Sequence, residues 1–273
     1  MTATGGGASR DDERSTGRRR VLVWQTLDEA ATRLVEEPSV LALFVFSFLV
    51  SAGVNQVMRM DPVPVTANNP VVEVNIDGGP VGTTGSLIHS SLGAYYGLRL
   101  PWLIERAALF SVTSLVSLVV IVLAVAAIDT GGLRSGLEAV TPATFLRAAS
   151  FLLGLGVLFG TVGGAVALFP ILALPGLLGL LLVLIRLSIV LPLLVRGQGV
   201  RRSIRASWRR VAGHGLRIFG IVLVLGFLSG LVTDLPAVGG LLEKLVLAVQ
   251  ISGLTVVADV MTPASDLSAG DSP

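Results

Sequence analysis

Six long apolar runs recur along the chain and are separated by shorter polar stretches. The runs cover residues 39–57, 102–128, 145–169, 177–195, 216–232 and 240–260. A helix needs about 20 mostly apolar residues to cross a hydrocarbon core of ~30 Å. The pattern therefore predicts an all-α, polytopic membrane helix bundle with six transmembrane helices between residues 21 and 261.

Local signals predict how several of these elements begin and end. Thr26 and Glu29 have the spacing of a capping box, which predicts a short interfacial helix that stops before Pro38. Its predicted apolar face consists of Trp24, Leu27, Ala31 and Leu34. Thr141 followed by Pro142 is a typical start for the third crossing. Pro192 predicts a kink in the fourth.

The segment 58–100 differs from the rest of the chain because it is polar and rich in turn residues. Residues 71–76 alternate apolar and polar side chains before an Asp77-Gly78-Gly79 turn, which predicts a short strand. About forty residues without cysteines are too few for an independent core. We expect this loop to lie outside the cell as a cap over the helix ends, although a site on it stays open.

The distribution of basic residues predicts the orientation of the chain. Most of the 20 Lys and Arg residues fall in the N-terminal region and in the linker 196–215. Cytoplasmic loops of membrane proteins carry such an excess. We therefore expect both termini in the cytoplasm, with disordered tails at 1–20 and 262–273 that contain too little apolar surface to fold.

The linker 196–215 has the pattern of an amphipathic helix at a membrane surface. Its apolar positions recur at helical spacing: Val200, Ile204, Trp208 and Val211. The other positions are mostly basic: Arg201, Arg202, Arg205, Arg209 and Arg210. These arginines and Trp208 are the candidate contacts to anionic lipid headgroups, whereas the simpler interpretation is that the charges only orient the chain.

Arg186 is the least expected residue because it falls near the middle of the fourth apolar run. A charge at that depth is costly and should face protein or a cavity. Glu243, near the start of the sixth run, is the predicted partner of an intramembrane ion pair. The competing arrangement is local neutralisation of Glu243 by Lys244.

The third run contains a regular series of glycines at Gly156, Gly160 and Gly164. Small residues four positions apart let a neighbouring helix approach closely in a membrane. This face predicts close packing either within the monomer or at the seam of a homo-oligomer.

Composition narrows the possible chemistry. Hydrophobic residues make up 52% of the chain and charged residues 14%, with a mean hydropathy of +0.82, which is typical of a multi-pass protein of the cell membrane. The absence of cysteine excludes thiolate sites. His89 and His214 are expected on opposite sides of the bilayer, so neither a metal site nor any other cofactor is predicted. The arginines end apolar runs, which does not favour a nucleic-acid partner.

Three stretches of the sequence carry a resemblance: LDEAATRLVEEPSVLAL, LEAVTPATFLRAASFLLG and RLSIVLPLLVRGQGVRRSIRASWRRVAGHGLRIFGIVLV. The chain resembles a broad prokaryotic six-helix membrane domain that precedes the catalytic domain of some glycerophosphodiester phosphodiesterases and also occurs alone. The matching positions are Pro38, Pro192, Arg205, Ser207 and Trp208. None of that enzyme's metal ligands has a counterpart here. The resemblance therefore implies the architecture and not the activity.

Two functional hypotheses follow from these observations. The first is a non-enzymatic membrane protein, a scaffold or lipid-contacting regulator, because the basic linker is amphipathic and no titratable groups are paired for catalysis. The second is a transporter or permease subunit with Arg186 in its pathway, which is also suggested by the glycine groove and by a linker faintly like the coupling helix of ABC permeases. An enzyme is not expected, because Glu105 and Asp129 lie at opposite ends of one predicted helix and cannot share acid–base chemistry.

Overall fold

The computed structural model describes residues 23–60, 100–169, 171, 173–233 and 238–261. These ranges contain ten α-helices and no strand. The helices are α1 (Val23–Glu36), α2 (Pro38–Met60), α3 (Leu100–Thr130), α4 (Leu133–Ala139), α5 (Pro142–Leu168), α6 (Ala173–Leu187), α7 (Val190–Val195), α8 (Val200–Val211), α9 (Gly215–Thr233) and α10 (Gly239–Met261). Both predicted tails, the strand at 71–76 and nearly all of loop 58–100 lie outside the described residues.

Six helical segments are long and apolar enough to cross a membrane: α2, α3, α5, α6 with α7, α9 and α10. The predicted all-helical bundle with six candidate crossings is therefore confirmed, and the chain has the features of a multi-pass membrane protein. The longest, α3, has 31 residues, which at 1.5 Å per residue exceeds a hydrocarbon core of ~30 Å. Which side of the membrane each terminus faces stays a prediction.

The fourth candidate crossing is broken into α6 and α7. α6 ends at Leu187 and α7 begins at Val190. Pro192 has no N–H to donate, and its ring would clash with the carbonyl of the residue four positions earlier, Ser188, in a continuous helix. The Ser188 hydroxyl donates to the Ile185 carbonyl at 2.8 Å. The predicted kink at this proline is confirmed.

The start of α1 differs from the prediction. Residues 23–25 are already helical, so Thr26 lies inside the helix and cannot be its N-cap. Glu29 accepts a hydrogen bond from Arg33 at 2.8 Å, one turn later. The predicted face is correct in part: Leu34 is buried and Leu27 half-buried, whereas Trp24 is 74% exposed and Thr26 and Ala30 are buried instead. Tertiary packing against α10 orients the helix.

The predicted polar turn after the second crossing contains a short helix, α4. α3 ends at Thr130 and is followed by Gly131, whose φ of +72° suits glycine. The Gly132 N–H then donates to the Ala127 carbonyl at 2.9 Å, as in a Schellman cap. α4 folds back on α3 so closely that a methyl group at Gly136 would lie 2.7 Å from the Ala127 nitrogen. The third crossing begins as predicted, since the Thr141 hydroxyl accepts from the Thr144 N–H at 3.2 Å.

The helices pack around α10. Its most apolar stretch is 72% buried, against 17% for that of α5. α10 contacts α1, α2, α3, α7 and α9. Deep burial is concentrated towards one end of the bundle, where nearly every residue from Val120 to Ile128 of α3 and from Ile251 to Ala258 of α10 is buried. A helix stretch that is apolar and buried all round lies in a protein core.

Candidate functional site

A network of ion pairs joins four parts of the chain at this well-packed end. The Arg196 Nε donates to the two carboxylate oxygens of Asp129 at 3.0 and 3.2 Å, and Arg196 also pairs with Asp259. Arg33 bridges Asp259 and Glu29, at 2.8 Å to each. The C-terminal ends of α3, α7 and α10 therefore meet here, together with α1 and α8. We call this region the basic end of the bundle.

The Arg196 guanidinium is the centre of the network, with a side chain only 10% exposed. Helix C-termini carry partial negative charge, so three of them attract a cation. Burial lowers the pKa of Arg196, but its hydrogen bonds and charge interactions with Asp129 and Asp259 outweigh burial and raise the pKa above its ordinary value. The same balance, with Asp259 and Glu29, raises the pKa of Arg33. Both groups stay charged in the folded protein.

This network was not predicted from the sequence. Apart from Glu29 and Arg33, which are one turn apart on α1, its members lie far apart along the chain and on different helices, so no local spacing brings them together. One feature of the sequence does indicate such contacts: Asp129, Arg196 and Asp259 each lie at the polar edge of an apolar run.

The turn between α7 and α8 is held by a hydrogen bond from α5 and by another from the turn back to α7. Gly197 has a φ of +84°, which side chains other than glycine rarely adopt. Arg147 of α5 donates from Nη1 to the Gly197 carbonyl at 2.9 Å. The Gln198 N–H donates back to the Leu193 carbonyl at 3.2 Å. As a result α8 folds back and packs against α5, α6 and α7.

α8 is the predicted amphipathic helix, but its apolar side packs against protein instead of lipid. Val200 and Ile204 pack against the cluster of Phe151, Val190 and Leu194, and Ser203, Ser207 and Val211 are buried. Trp208 lies at the edge of this face and is 43% exposed. The exposed side carries Arg201, Arg202, Arg205 and Arg209, while Arg210 is half-buried. The arginine side is therefore presented on a helix whose other face is fixed.

Arg186 does not pair with Glu243, so that prediction is wrong. Its Nη1 donates to the Trp208 carbonyl at 2.9 Å, and its guanidinium stacks over the Trp208 ring, 5.3 Å from the centroid. The Ser207 hydroxyl donates to the Arg186 carbonyl at 2.6 Å. The physical reason is the break after Leu187, which lets α8 return to the last turn of α6 and supply an acceptor and an aromatic face.

Glu243 lies beside Lys244, with 4.0 Å between Oε1 and Nζ. Their side chains are 16% and 10% exposed. This is the competing arrangement that the sequence left open.

The glycine face of α5 is not packed within the monomer at the two positions that the structure describes. A methyl group at Gly156 or Gly160 would meet no atom within 4 Å. The surroundings of Gly164 lie outside the described residues. Close packing inside the monomer is therefore not the role of Gly156 and Gly160, and a seam with a second copy stays a prediction.

The described part of the chain contains no group of three His, Asp or Glu residues that could hold a metal ion. His214 follows α8 and its Nδ1 is buried without a hydrogen-bond partner there, while His89 lies outside the described residues. Comparisons with protein-family models, with curated proteins and with solved structures each find no match for this chain. The resemblance to the six-helix domain therefore stays a prediction.

Proposed function

We propose that this chain is a non-enzymatic, multi-pass membrane protein whose basic end contacts anionic lipid headgroups and acts as a scaffold or lipid-contacting regulator. The observation that carries the proposal is the arrangement of α8. One face is buried against α5, α6 and α7, and the opposite face exposes Arg201, Arg202, Arg205 and Arg209.

Charge and rigidity together support lipid contact. Each arginine close to an anionic membrane surface contributes on the order of 1 kcal/mol of attraction. Because the buried face of α8 is held by Gly197, Arg147 and the Arg186–Trp208 contact, the backbone that carries the arginines is ordered before they meet a headgroup. A helix that is already folded and docked loses less conformational entropy on binding than a flexible segment.

The transporter hypothesis loses one of the observations that motivated it, the position of Arg186. Arg186 contacts α8 and belongs to the basic end, so it no longer suggests a charged pathway through the bilayer. An apolar cleft does lie beside the α6–α7 break, between Val125, Phe151, Pro192 and Leu254. Its polar lining consists of the Ser188 hydroxyl, which already donates to Ile185. Such a cleft does not suit an ion.

Fluorescence of Trp208 tests the proposal on the whole chain. The protein has three tryptophans, so Trp24→Phe with Trp102→Phe leaves Trp208 as the only reporter. The variant is reconstituted in phosphatidylcholine bilayers that contain an equal, small fraction of dibrominated phosphatidylglycerol or dibrominated phosphatidylcholine. We expect the anionic lipid to quench Trp208 more strongly.

Replacing Arg201, Arg205 and Arg209 with glutamine should abolish that preference. Arg134→Gln is the control, because this side chain is 95% exposed at the same end but belongs to α4, and it should leave the preference intact. Equal quenching by the two lipids before any arginine is replaced would contradict the proposal.

A further inference from the structure

Arg186 has hydrogen-bond donors that the described protein does not use. A guanidinium has five N–H donors, and Arg186 commits one of them, on Nη1, to the Trp208 carbonyl. No carboxylate among the described residues pairs with it. Unsatisfied donors next to lipid are costly, so these N–H groups need an acceptor that the described residues do not supply.

The position of Arg186 identifies the kind of acceptor. α8 carries five arginines between Arg201 and Arg210, so it cannot lie in the hydrocarbon core. Tryptophan is enriched where headgroups meet hydrocarbon. Because Arg186 stacks on Trp208, it lies at the same level, where the phosphates of lipid headgroups are the abundant acceptors. Arginine binds phosphate in a bidentate manner with two parallel hydrogen bonds.

A second cation lies on the same side of α8. Residues three or four positions apart are neighbours on a helix surface, so Arg205 shares a flank with Trp208. Arg205 is exposed. At about 100° per residue, Arg205 lies about 60° around the helix axis from Trp208, whereas Arg209 and Arg202 lie about 100° and about 120° from it. Arg201 is on the Trp208 side but two turns, about 10 Å, further along α8. The flank therefore offers two guanidinium groups to one anion.

An apolar stripe continues from this flank along α6. Leu182 and Leu178 lie four and eight positions before Arg186, which places them on one side of the helix. They are 51% and 56% exposed. A phosphate at Arg186 would thus have an apolar surface beneath it of the kind that an acyl chain covers.

We infer that Arg186, Arg205 and Trp208, with Leu182 and Leu178, form a binding site for one anionic phospholipid. The phosphate contacts the two guanidinium groups and an acyl chain lies along the leucines. This inference rests on the proposed function and sharpens it from a diffuse basic surface to a single site.

Native mass spectrometry of the full chain, purified in mild detergent with added phosphatidylglycerol, counts the lipids that stay bound. Arg205→Gln is compared with Arg209→Gln. Both variants remove one exposed charge from α8, and neither side chain forms a hydrogen bond or ion pair with the described residues, so both should fold. We expect about a tenfold weaker retention of one lipid in Arg205→Gln, since a factor of ten matches the loss of one charge-assisted contact. Arg209→Gln should retain it.

A second comparison tests Arg186 itself. Arg186→Lys keeps the positive charge but removes the planar guanidinium that can donate two parallel hydrogen bonds to one phosphate. It should therefore weaken retention of the same lipid. Competition separates a lipid from a free anion: short-chain phosphatidylglycerol should displace the bound lipid, whereas inorganic phosphate at the same concentration should not. Displacement by phosphate to the same extent would exclude the leucine stripe and overturn the inference.

The remaining outcomes separate this inference from the proposed function. Equal losses in Arg205→Gln and Arg209→Gln would indicate diffuse attraction, which overturns the single site and leaves the proposed function standing. If neither variant loses lipid and Trp208 shows no preference for the anionic quencher, both proposals are wrong.

Discussion

Removing Arg196 should be among the most destabilising single changes at the basic end. Its guanidinium contacts Asp129 and Asp259 and is 10% exposed. Arg196→Gln would leave these two carboxylates close to each other and to the C-terminal ends of three helices. The helix ends are also negative, and the remaining cation, Arg33, pairs with Asp259, so the carboxylate of Asp129 loses its cation.

The expected loss of stability depends on how deeply the ion pairs of Arg196 are buried. Breaking a fully buried ion pair by removing one partner costs about 3–5 kcal/mol. Here the carboxylates are 26% and 37% exposed, and water screens them in part. We therefore expect Arg196→Gln to lower the free energy of unfolding by about 2–4 kcal/mol. Arg134→Gln is the control, because Arg134 and its partner Glu138 are 95% and 72% exposed at 3.5 Å, and we expect no measurable effect.

Unfolding in mixed detergent micelles, followed by circular dichroism, measures both variants. Combining Arg196→Gln with Asp129→Asn should recover much of the loss, because it removes the uncompensated carboxylate along with the cation and leaves the Arg33–Asp259 pair intact. Two results would refute this reasoning. One is a loss for Arg196→Gln no larger than that of the Arg134 control, and the other is strict additivity when the two changes are combined.

Three further predictions concern orientation and packing. A cysteine at Thr83 should react with an impermeant thiol reagent on intact cells, and one at Arg202 only after permeabilisation; the reverse pattern would invert the topology. Gly136→Ala should cost about 1–3 kcal/mol in the unfolding assay because its methyl group would meet the backbone of α3, whereas Gly156→Ala, which faces open space, should be neutral or stabilising. Ser252→Ala should cost about 1–2 kcal/mol, since this buried hydroxyl donates to a carbonyl of α1 at 3.0 Å, and an unchanged stability would show that the bond does not hold α1 in place.

The sequence predicts the candidate crossings well because their signal is local. Length, apolar composition and proline position are read directly from neighbouring residues, and the break before Pro192 was foreseen in this way. The partner of Arg186 could not be foreseen by the same reasoning. Its depth was counted along a straight helix, but the break ends α6 after Leu187 and brings α8 back to it.

Contacts between distant segments explain the other differences. The capping box at Thr26 is a valid local signal. In the structure, however, α1 already begins at Val23, and its packing against α10 buries Thr26 and Ala30 in place of Trp24 and Ala31. The ion pairs of Arg196 and Arg33 join positions 63 to 226 residues apart, and no pattern within one helix encodes such pairs. Charge placement at the edges of apolar runs indicates where such contacts lie, not which residues make them.

The geometry of the basic end also bears on the orientation of the chain. Arg33 of α1 meets Asp259 near the end of α10 at 2.8 Å, so the first and last described helices reach the same end of the bundle. An even number of crossings requires this arrangement, and six candidate crossings satisfy it. The exposed arginines of α8 lie at that end too, where the positive-inside tendency favours the cytoplasm. The prediction that both termini are cytoplasmic therefore depends on one assignment, the side that α8 faces, and a single cysteine at Arg202 decides it.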